Sequence, residues 1–177
     1  MTESKKAALA REQFKKGCNC AQAVISSFCG ETGLSEETAL LLSAPFGGGI
    51  ARTRQTCGAV SGMLMVLGLT NGYSPFTDQE THAREKTRVY EEGQALIKAF
   101  EAEFGTSNCG ELLKGEGKDT SPTPSPRTES YYKKRSCADF VAFAAGLTEQ
   151  YLREKNAEDK KRMYYGKQIR VLQNGTP

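Results

Sequence analysis

The spacing of apolar residues predicts helices along almost the whole chain. Apolar side chains recur every three or four positions, and Val, Ile and aromatic residues do not alternate with polar ones over a strand length. The sequence therefore predicts an all-α fold, a compact bundle of six or seven helices. With 177 residues, the chain can bury enough surface for one domain without covalent cross-links.

Capping residues and glycines divide this pattern into segments. The segments that predict helices are residues 4–16, 19 to about 30 or 33, 35–42, 56–69, 77–104, a short turn over 108–114, and 136–155. Gly58 and Gly62 lie four apart, so another helix can approach there. A Pro-, Ser- and Thr-rich linker over 115–130, extended or mobile, precedes the last core helix. Residues 1–155 would then form a single domain, and the basic residues 156–177 a surface helix or arm.

Six cysteines are the most unusual feature of the composition, beside a single histidine and no tryptophan. They are about 3% of the chain, against roughly 8–10% in small disulfide-linked proteins. The charged amino terminus lacks the apolar segment of a secretory signal, so we expect a cytoplasmic protein with reduced thiols. The longest apolar run, Ala59 to Leu69, is too short for a membrane span. The net charge of +3 is too small to indicate a nucleic-acid partner.

Four of the cysteines directly follow a residue that favours helix N-caps. The pairs are Asn19–Cys20, Thr56–Cys57, Asn108–Cys109 and Ser136–Cys137, and the first, third and fourth have a capping-box partner in Gln22, Glu111 and Asp139. Each of these cysteines is therefore predicted to be the first residue of its helix. Unpaired backbone N–H groups and the helix dipole would lower the pKa of the thiol there.

The remaining candidate residues have weaker patterns. Arg52 and Arg54 precede Cys57 and would add positive charge beside it. Cys18 and Cys29 follow no cap and are predicted to be packing or peripheral thiols, with Cys18 close enough to Cys20 to act as a resolving thiol. His82 is predicted to be a surface histidine.

The spacing of the cysteines excludes several standard sites. There is no C-x-x-C dithiol, no C-x-x-C-H haem attachment and no compact ferredoxin motif. Residues 47–49 are three glycines, but no Gly-Lys-Ser/Thr follows them, so we predict a flexible connector and no nucleotide.

The motifs around the four capped cysteines resemble a known family. Gly48-Gly49-Ile50 followed by Thr56-Cys57-Gly58-Ala59-Val60-Ser61-Gly62 is similar to the hallmark of the C_GCAxxG_C_C family of redox-active proteins. Asn19-Cys20-Ala21-Gln22-Ala23-Val24, Cys109-Gly110-Glu111-Leu112-Leu113 and Cys137 before an apolar helix match its other parts in order. The resemblance covers about residues 8–151, and the linker and the basic residues 156–177 depart from the compact family core.

The resemblance implies a redox site built from Cys20, Cys57, Cys109 and Cys137. The family is similar to a domain of split-Soret cytochromes, which implies an iron–sulfur cluster, while the haem motifs of those proteins are absent here. The four cysteines would ligate this cluster or another soft metal and carry electrons, with Gly58, Arg52 and Arg54 beside it. Two alternatives stay open: reversible disulfides of the same cysteines without metal, and a non-enzymatic helical binding module. The candidate partners are a redox protein and a second copy of the chain.

Overall fold

The computed structural model confirms the all-α prediction. It describes the backbone of residues 3–173 and the side chains of residues 3–158 except 116 and 117. Within this part the α-helices are α1 (Lys5–Lys15), α2 (Cys20–Ser26), α3 (Cys29–Thr32), α4 (Glu36–Ser43), α5 (Gly58–Asn71), α6 (Gln79–Phe104), α7 (Cys109–Leu112), α8 (Glu129–Lys134) and α9 (Cys137–Gln173). Two 3₁₀ turns, Ala44–Phe46 and Lys114–Lys118, connect them. The described residues hold more helices than the six or seven predicted, because α3 is separate from α2 and α8 lies inside the predicted linker.

The core lies between α1, α2, α5 and α9, with α6 packed against α5 and α9. Its largest fully buried side chains are those of Phe14, Phe28, Phe100, Ile25, Met63, Val24, Val60, Val66 and Val141. Burial of one such side chain contributes about 1.5–3 kcal/mol. This core fixes the positions of α2, α5 and α9, on which three of the four capped cysteines depend.

Helices α2 and α5 approach closely at the two glycines of α5, as predicted. A Cβ atom on Gly58 would lie 2.8 Å from the carbonyl oxygen of Phe46 and 3.0 Å from the Cβ of Cys20. A Cβ on Gly62 would lie 2.8 Å from the carbonyl oxygen of Ala21. The missing side chains therefore let the first turn of α2 lie directly against the first turn of α5.

Several predicted helix ends are wrong. Helix α2 ends at Ser26, so Cys29 begins the separate helix α3 and does not lie late in the second helix. The N-cap of α6 is Asp78, whose carboxylate accepts a hydrogen bond from the Thr81 amide at 2.9 Å. The helix therefore begins at Gln79, two residues after the predicted start at residue 77.

Helix α9 continues without a break past the predicted end at residue 155, and its backbone is helical to Gln173. The predicted basic arm therefore begins inside this helix. The side chains of its basic residues, Lys160, Lys161, Arg162, Lys167 and Arg170, lie outside the described ones. Within the described part of the chain, no helix combines the length and the hydropathy needed to cross a membrane.

The predicted linker is partly tied down across the bundle. We call residues 119–127 the strap. Arg54 Nε donates to the carbonyl oxygen of Asp119 at 2.8 Å, and Arg52 Nη2 donates to its carboxylate at 2.9 Å. At the other end of the strap, Arg127 donates to the carbonyl oxygens of Phe14 at 2.7 Å and Cys18 at 2.9 Å. Guanidinium groups therefore fix both ends of a segment whose composition alone suggested an extended or mobile linker.

Two glycine substitutions on α5 test the close helix approach. Gly62→Ala should destabilise the fold by about 1–3 kcal/mol, because the new methyl group meets the backbone of α2. Gly68→Ala is the matched control, since a Cβ there meets nothing within 4 Å and should stabilise the helix by about 0.5–1 kcal/mol. Urea unfolding followed by circular dichroism measures both. Equal effects of the two substitutions would contradict the packing described here.

Candidate functional site

Four thiols meet where α2, α5, α7 and α9 begin. Cys20, Cys109 and Cys137 are the first residues of α2, α7 and α9, and Cys57 directly precedes α5. The thiol of Cys20 interacts electrostatically with those of Cys57, Cys109 and Cys137. The fold thus brings together the four cysteines that the sequence singled out; we call them the thiol cluster.

The predicted N-cap is confirmed in full at Cys20. Asn19 Oδ1 accepts hydrogen bonds from the amides of Ala21 and Gln22 at 3.0 Å, and Gln22 Oε1 accepts from the Asn19 amide at 2.9 Å. This is the reciprocal capping box that the sequence predicted. Asn19 also donates from Nδ2 to the carbonyl oxygen of Ala44, which ties the start of α2 to the neighbouring turn.

The caps before Cys109 and Cys137 are less complete. Asn108 accepts from the Glu111 amide at 3.1 Å, but the Glu111 carboxylate accepts from the Thr106 hydroxyl. Asp139 accepts from Arg11 Nη1 at 2.7 Å, although the sequence suggested a capping role for it. Helix α9 nevertheless begins at Cys137, because the extended backbone of Arg135 separates it from α8.

The predicted N-cap at Thr56 is wrong, since Cys57 itself is the N-cap of α5. Thr56 instead pairs with Asn108 in an isolated antiparallel bridge. On either side of it, the Cys57 amide donates to Ser107 O at 2.8 Å and the Cys109 amide donates to Gln55 O at 2.7 Å. The bridge therefore draws Thr56 away from the helix and holds Cys57 beside Cys109.

The glycine-rich segment is a tight left-handed turn, although the sequence suggested a flexible connector. Residues 48–52 all have positive φ, from 48° to 75°, and Arg54 has φ 63°. Each non-glycine residue in this conformation costs about 1–2 kcal/mol. A Cβ on Gly49 would lie 2.6 Å from the Cβ of Cys109 and 2.9 Å from the Cα of Arg54. Glycine thus permits the close contact that sets Arg54 against Cys109.

Negative charge in the thiol cluster is best stabilised on Cys137. A hydrogen bond with the Cys20 thiol is the largest cause that lowers the pKa of Cys137, and the guanidinium groups of Arg135, Arg127 and Arg54 lower it further. The same hydrogen bond, together with burial, raises the pKa of Cys20 well above its usual value. The hydrogen bond therefore favours the proton on Cys20 and the negative charge on Cys137.

The predicted lowering of the pKa is wrong for the other cysteines of the cluster. Burial raises the pKa of Cys57 to about 12, although the amides of Ala59 and Val60 act in the opposite direction. Burial also raises the pKa of Cys109, against the effect of the adjacent Arg54. The loss of hydration at these buried sulfurs outweighs the helix N-terminus.

A cavity of about 400 Å³ opens beside the cluster. Its walls include three of the thiols, Cys20, Cys109 and Cys137, and four arginines, Arg52, Arg54, Arg127 and Arg135. The sequence placed Arg52 and Arg54 beside Cys57, but Arg54 lowers the pKa of Cys109 and Cys137 instead, and Cys57 does not line the cavity. Arg127 and Arg135 were not predicted, and the only signal for Arg135 was its position two residues before Cys137.

Arg54 is the central cation of this site. Only 6% of its surface is exposed, and its Nη2 atom has no hydrogen-bond partner among the described residues. Burial of an unpaired charged donor is costly, so such a group favours an adjacent anion. The site therefore fits thiolates or a thiolate-bound anionic group. Gly58 lies against Cys20, and its contact with a cofactor stays a prediction.

A site for a single metal ion needs several donor side chains around one point. Within the described residues, no three or more His, Cys, Asp or Glu side chains are arranged to hold such an ion. His82 packs against the ring of Tyr73, with 5.3 Å between the ring centroids. Cys18 faces Arg127, Glu36 and Lys16, and Cys29 faces Glu36, Lys6 and Glu31.

Fold and site together define a class of all-α protein with a cysteine cluster at its helix starts. The family model of C_GCAxxG_C_C, described as "putative redox-active protein", matches residues 18–151, more than half of the chain. The chain belongs to this family. The matched range includes the thiol cluster and also the strap. No curated protein matches the chain, and no solved structure does.

The pKa order within the cluster can be checked by alkylation. As the pH is raised, iodoacetamide should modify Cys137 before Cys57, because only the thiolate reacts. Cys20→Ala should shift the reaction of Cys137 to higher pH, since the thiolate loses its hydrogen-bond donor. Peptide mass spectrometry gives the extent of modification at each cysteine, and Cys29→Ala is the control. A pH profile of Cys137 that is unchanged by Cys20→Ala would contradict this assignment.

Proposed function

We propose that the thiol cluster is the redox centre of this protein and that Cys20 and Cys137 interconvert between dithiol and disulfide. The hydrogen bond between these two thiols carries the proposal, because it brings together a protonated sulfur and one that is stabilised as thiolate. When this thiol and thiolate are oxidised, their sulfurs form one S–S bond and release one proton and two electrons to an acceptor. Reduction reverses each step.

The surroundings support different roles for the two sulfurs. Cys137 is 7% exposed, lies at the start of the long helix α9 and interacts with three guanidinium groups. These features stabilise a thiolate nucleophile. Cys20 is only partly buried and lines the same cavity, so it can resolve a mixed disulfide formed on Cys137.

Thiol counting tests the disulfide. Mild oxidation should lower the number of free thiols from six to four, and peptide mapping should find the pair Cys20–Cys137. Cys20→Ser should abolish this loss, because its partner sulfur is absent. Cys29→Ser is the matched control and should still form the pair. Six free thiols after oxidation, or a pair that excludes Cys137, would refute the proposal.

An iron–sulfur cluster is the second candidate, and a separate observation favours it. Four cysteines converge, which is more than one dithiol pair needs, and Arg54 Nη2 is buried without a partner beside them. Cys20, Cys57, Cys109 and Cys137 would hold the cluster as thiolates, and the cluster would supply one-electron transfer. The arginines and the helix starts would offset its negative charge. An inorganic core separates its thiolate ligands more widely than a single ion does, so this candidate does not require the compact set of ligands that one ion needs.

Anaerobic purification with iron and sulfide supplied tests the cluster. A bound cluster should give charge-transfer absorption in the visible range, and Cys57→Ser should remove it because one ligand is lost. Cys57→Ser should leave the Cys20–Cys137 disulfide intact, so this variant separates the two candidates. Cys29→Ser should keep the colour. Protein that stays colourless under these conditions would eliminate the cluster.

The proposal also includes the cellular location and the partners of the protein. We propose a cytoplasmic location, where the thiols are kept reduced, and a redox protein as the partner. A non-enzymatic helical binding module is the third candidate, which the absence of both a disulfide and a cluster would favour. A second copy of the chain stays a candidate partner.

A further inference from the structure

The cavity beside Cys137 is strongly cationic. Four guanidinium groups line it, and no acidic side chain does so among the described residues. The carboxylate of Asp119 in the strap pairs with Arg52. Arg54 and Arg127 donate instead to neutral backbone carbonyl oxygens, so their charges favour an anion in the cavity.

Arg54 gives the cavity a specific donor. It is the least exposed of the four arginines, its Nε donates to the strap, and its side chain also hydrogen-bonds to the Cys109 thiol. Its Nη2 atom still has no partner among the described residues. A guanidinium in this position favours a carboxylate or another planar anionic group. The unpartnered Nη2 atom of Arg54 therefore favours an anion independently of the overall charge of the cavity.

The other walls of the cavity suit an organic molecule. Apolar and aromatic side chains complete them, namely those of Phe14, Pro45, Leu113, Pro122, Pro124 and Tyr131. The volume of about 400 Å³ lies within the range of small-molecule sites. Pro122 and Pro124 belong to the strap, which therefore forms one wall of the cavity. A cavity walled in this way favours a small ligand over a protein surface.

We propose that this cavity binds small disulfides with carboxylate groups as the oxidised substrates of the Cys20–Cys137 pair. The inference rests on the proposed dithiol function. The Cys137 thiolate attacks one substrate sulfur, so a mixed disulfide forms and the first substrate thiolate leaves. The Cys20 sulfur, having lost its proton, then attacks Cys137, which forms the protein disulfide and releases the second substrate thiolate. Two electrons pass from the protein to the substrate. One leaving thiolate takes up the proton of Cys20, and the other takes a proton from solvent.

Three disulfides of similar size test the preference for charge. They are 3,3′-dithiodipropionate, which is anionic, bis(2-hydroxyethyl) disulfide, which is neutral, and cystamine, which is cationic. The reduced full chain with Cys18→Ser and Cys29→Ser is mixed with each, and mass spectrometry follows formation of the internal disulfide. Each rate is divided by the rate at which 2-mercaptoethanol reduces the same disulfide. The anionic compound should react about tenfold or more faster than the neutral one, and the cationic one more slowly.

Two arginine variants locate the effect. Arg52→Gln should lower the ratio of the anionic to the neutral rate roughly threefold or more, because it removes one cation from the cavity wall. Arg84→Gln removes the same charge from the exposed surface of α6 and should leave the ratio unchanged. Equal effects of both variants would mean that net charge alone is responsible, which overturns the inference.

The other outcomes separate this inference from the proposed function. Equal normalised rates for the three disulfides would overturn the inference and leave the dithiol proposal intact. Failure of all three to produce the Cys20–Cys137 disulfide would overturn both.

Discussion

The site depends on the backbone bridge between Thr56 and Asn108. This bridge joins the segment before α5 to the segment before α7, so that Cys57 and Cys109 lie side by side although 52 positions separate them. The left-handed turn over residues 48–52 leads into the bridge and sets Arg54 against Cys109. The positive φ values are costly, and the bridge with its flanking hydrogen bonds helps to hold the turn in place.

Charge within the cluster is unevenly distributed because burial and hydrogen bonding oppose each other. Burial raises the pKa of Cys57 and Cys109, whose sulfurs have lost most of their hydration. Cys137 differs because Cys20 donates to it and three guanidinium groups lie near it. The same helix-start position therefore gives different chemistry at different cysteines, and the neighbours from distant segments decide which one carries the charge.

Predictions from the sequence succeeded where the contacts are local. Asn19 caps α2 with its own neighbour Gln22, and both residues of this box are visible within four positions of the chain. They failed where a distant partner competes for the same group. Thr56 pairs with Asn108, Asp139 binds Arg11, and Arg127 reaches back to Phe14 across the strap. The spacing of residues along the chain does not reveal these partners, since they are far apart in sequence.

The sequence by itself determined the helical architecture, a close approach of another helix at Gly58 and Gly62, and the choice of the four cysteines, because periodicity, small residues and caps act over a few positions. Only the tertiary structure decided that these cysteines lie together and that Cys137 is the one whose negative charge is best stabilised. It also decided that the strap and four arginines surround the cavity. The reason is physical, since burial and charge–charge interactions depend on the three-dimensional neighbours of each group, and the fold takes these neighbours from segments that the chain keeps apart.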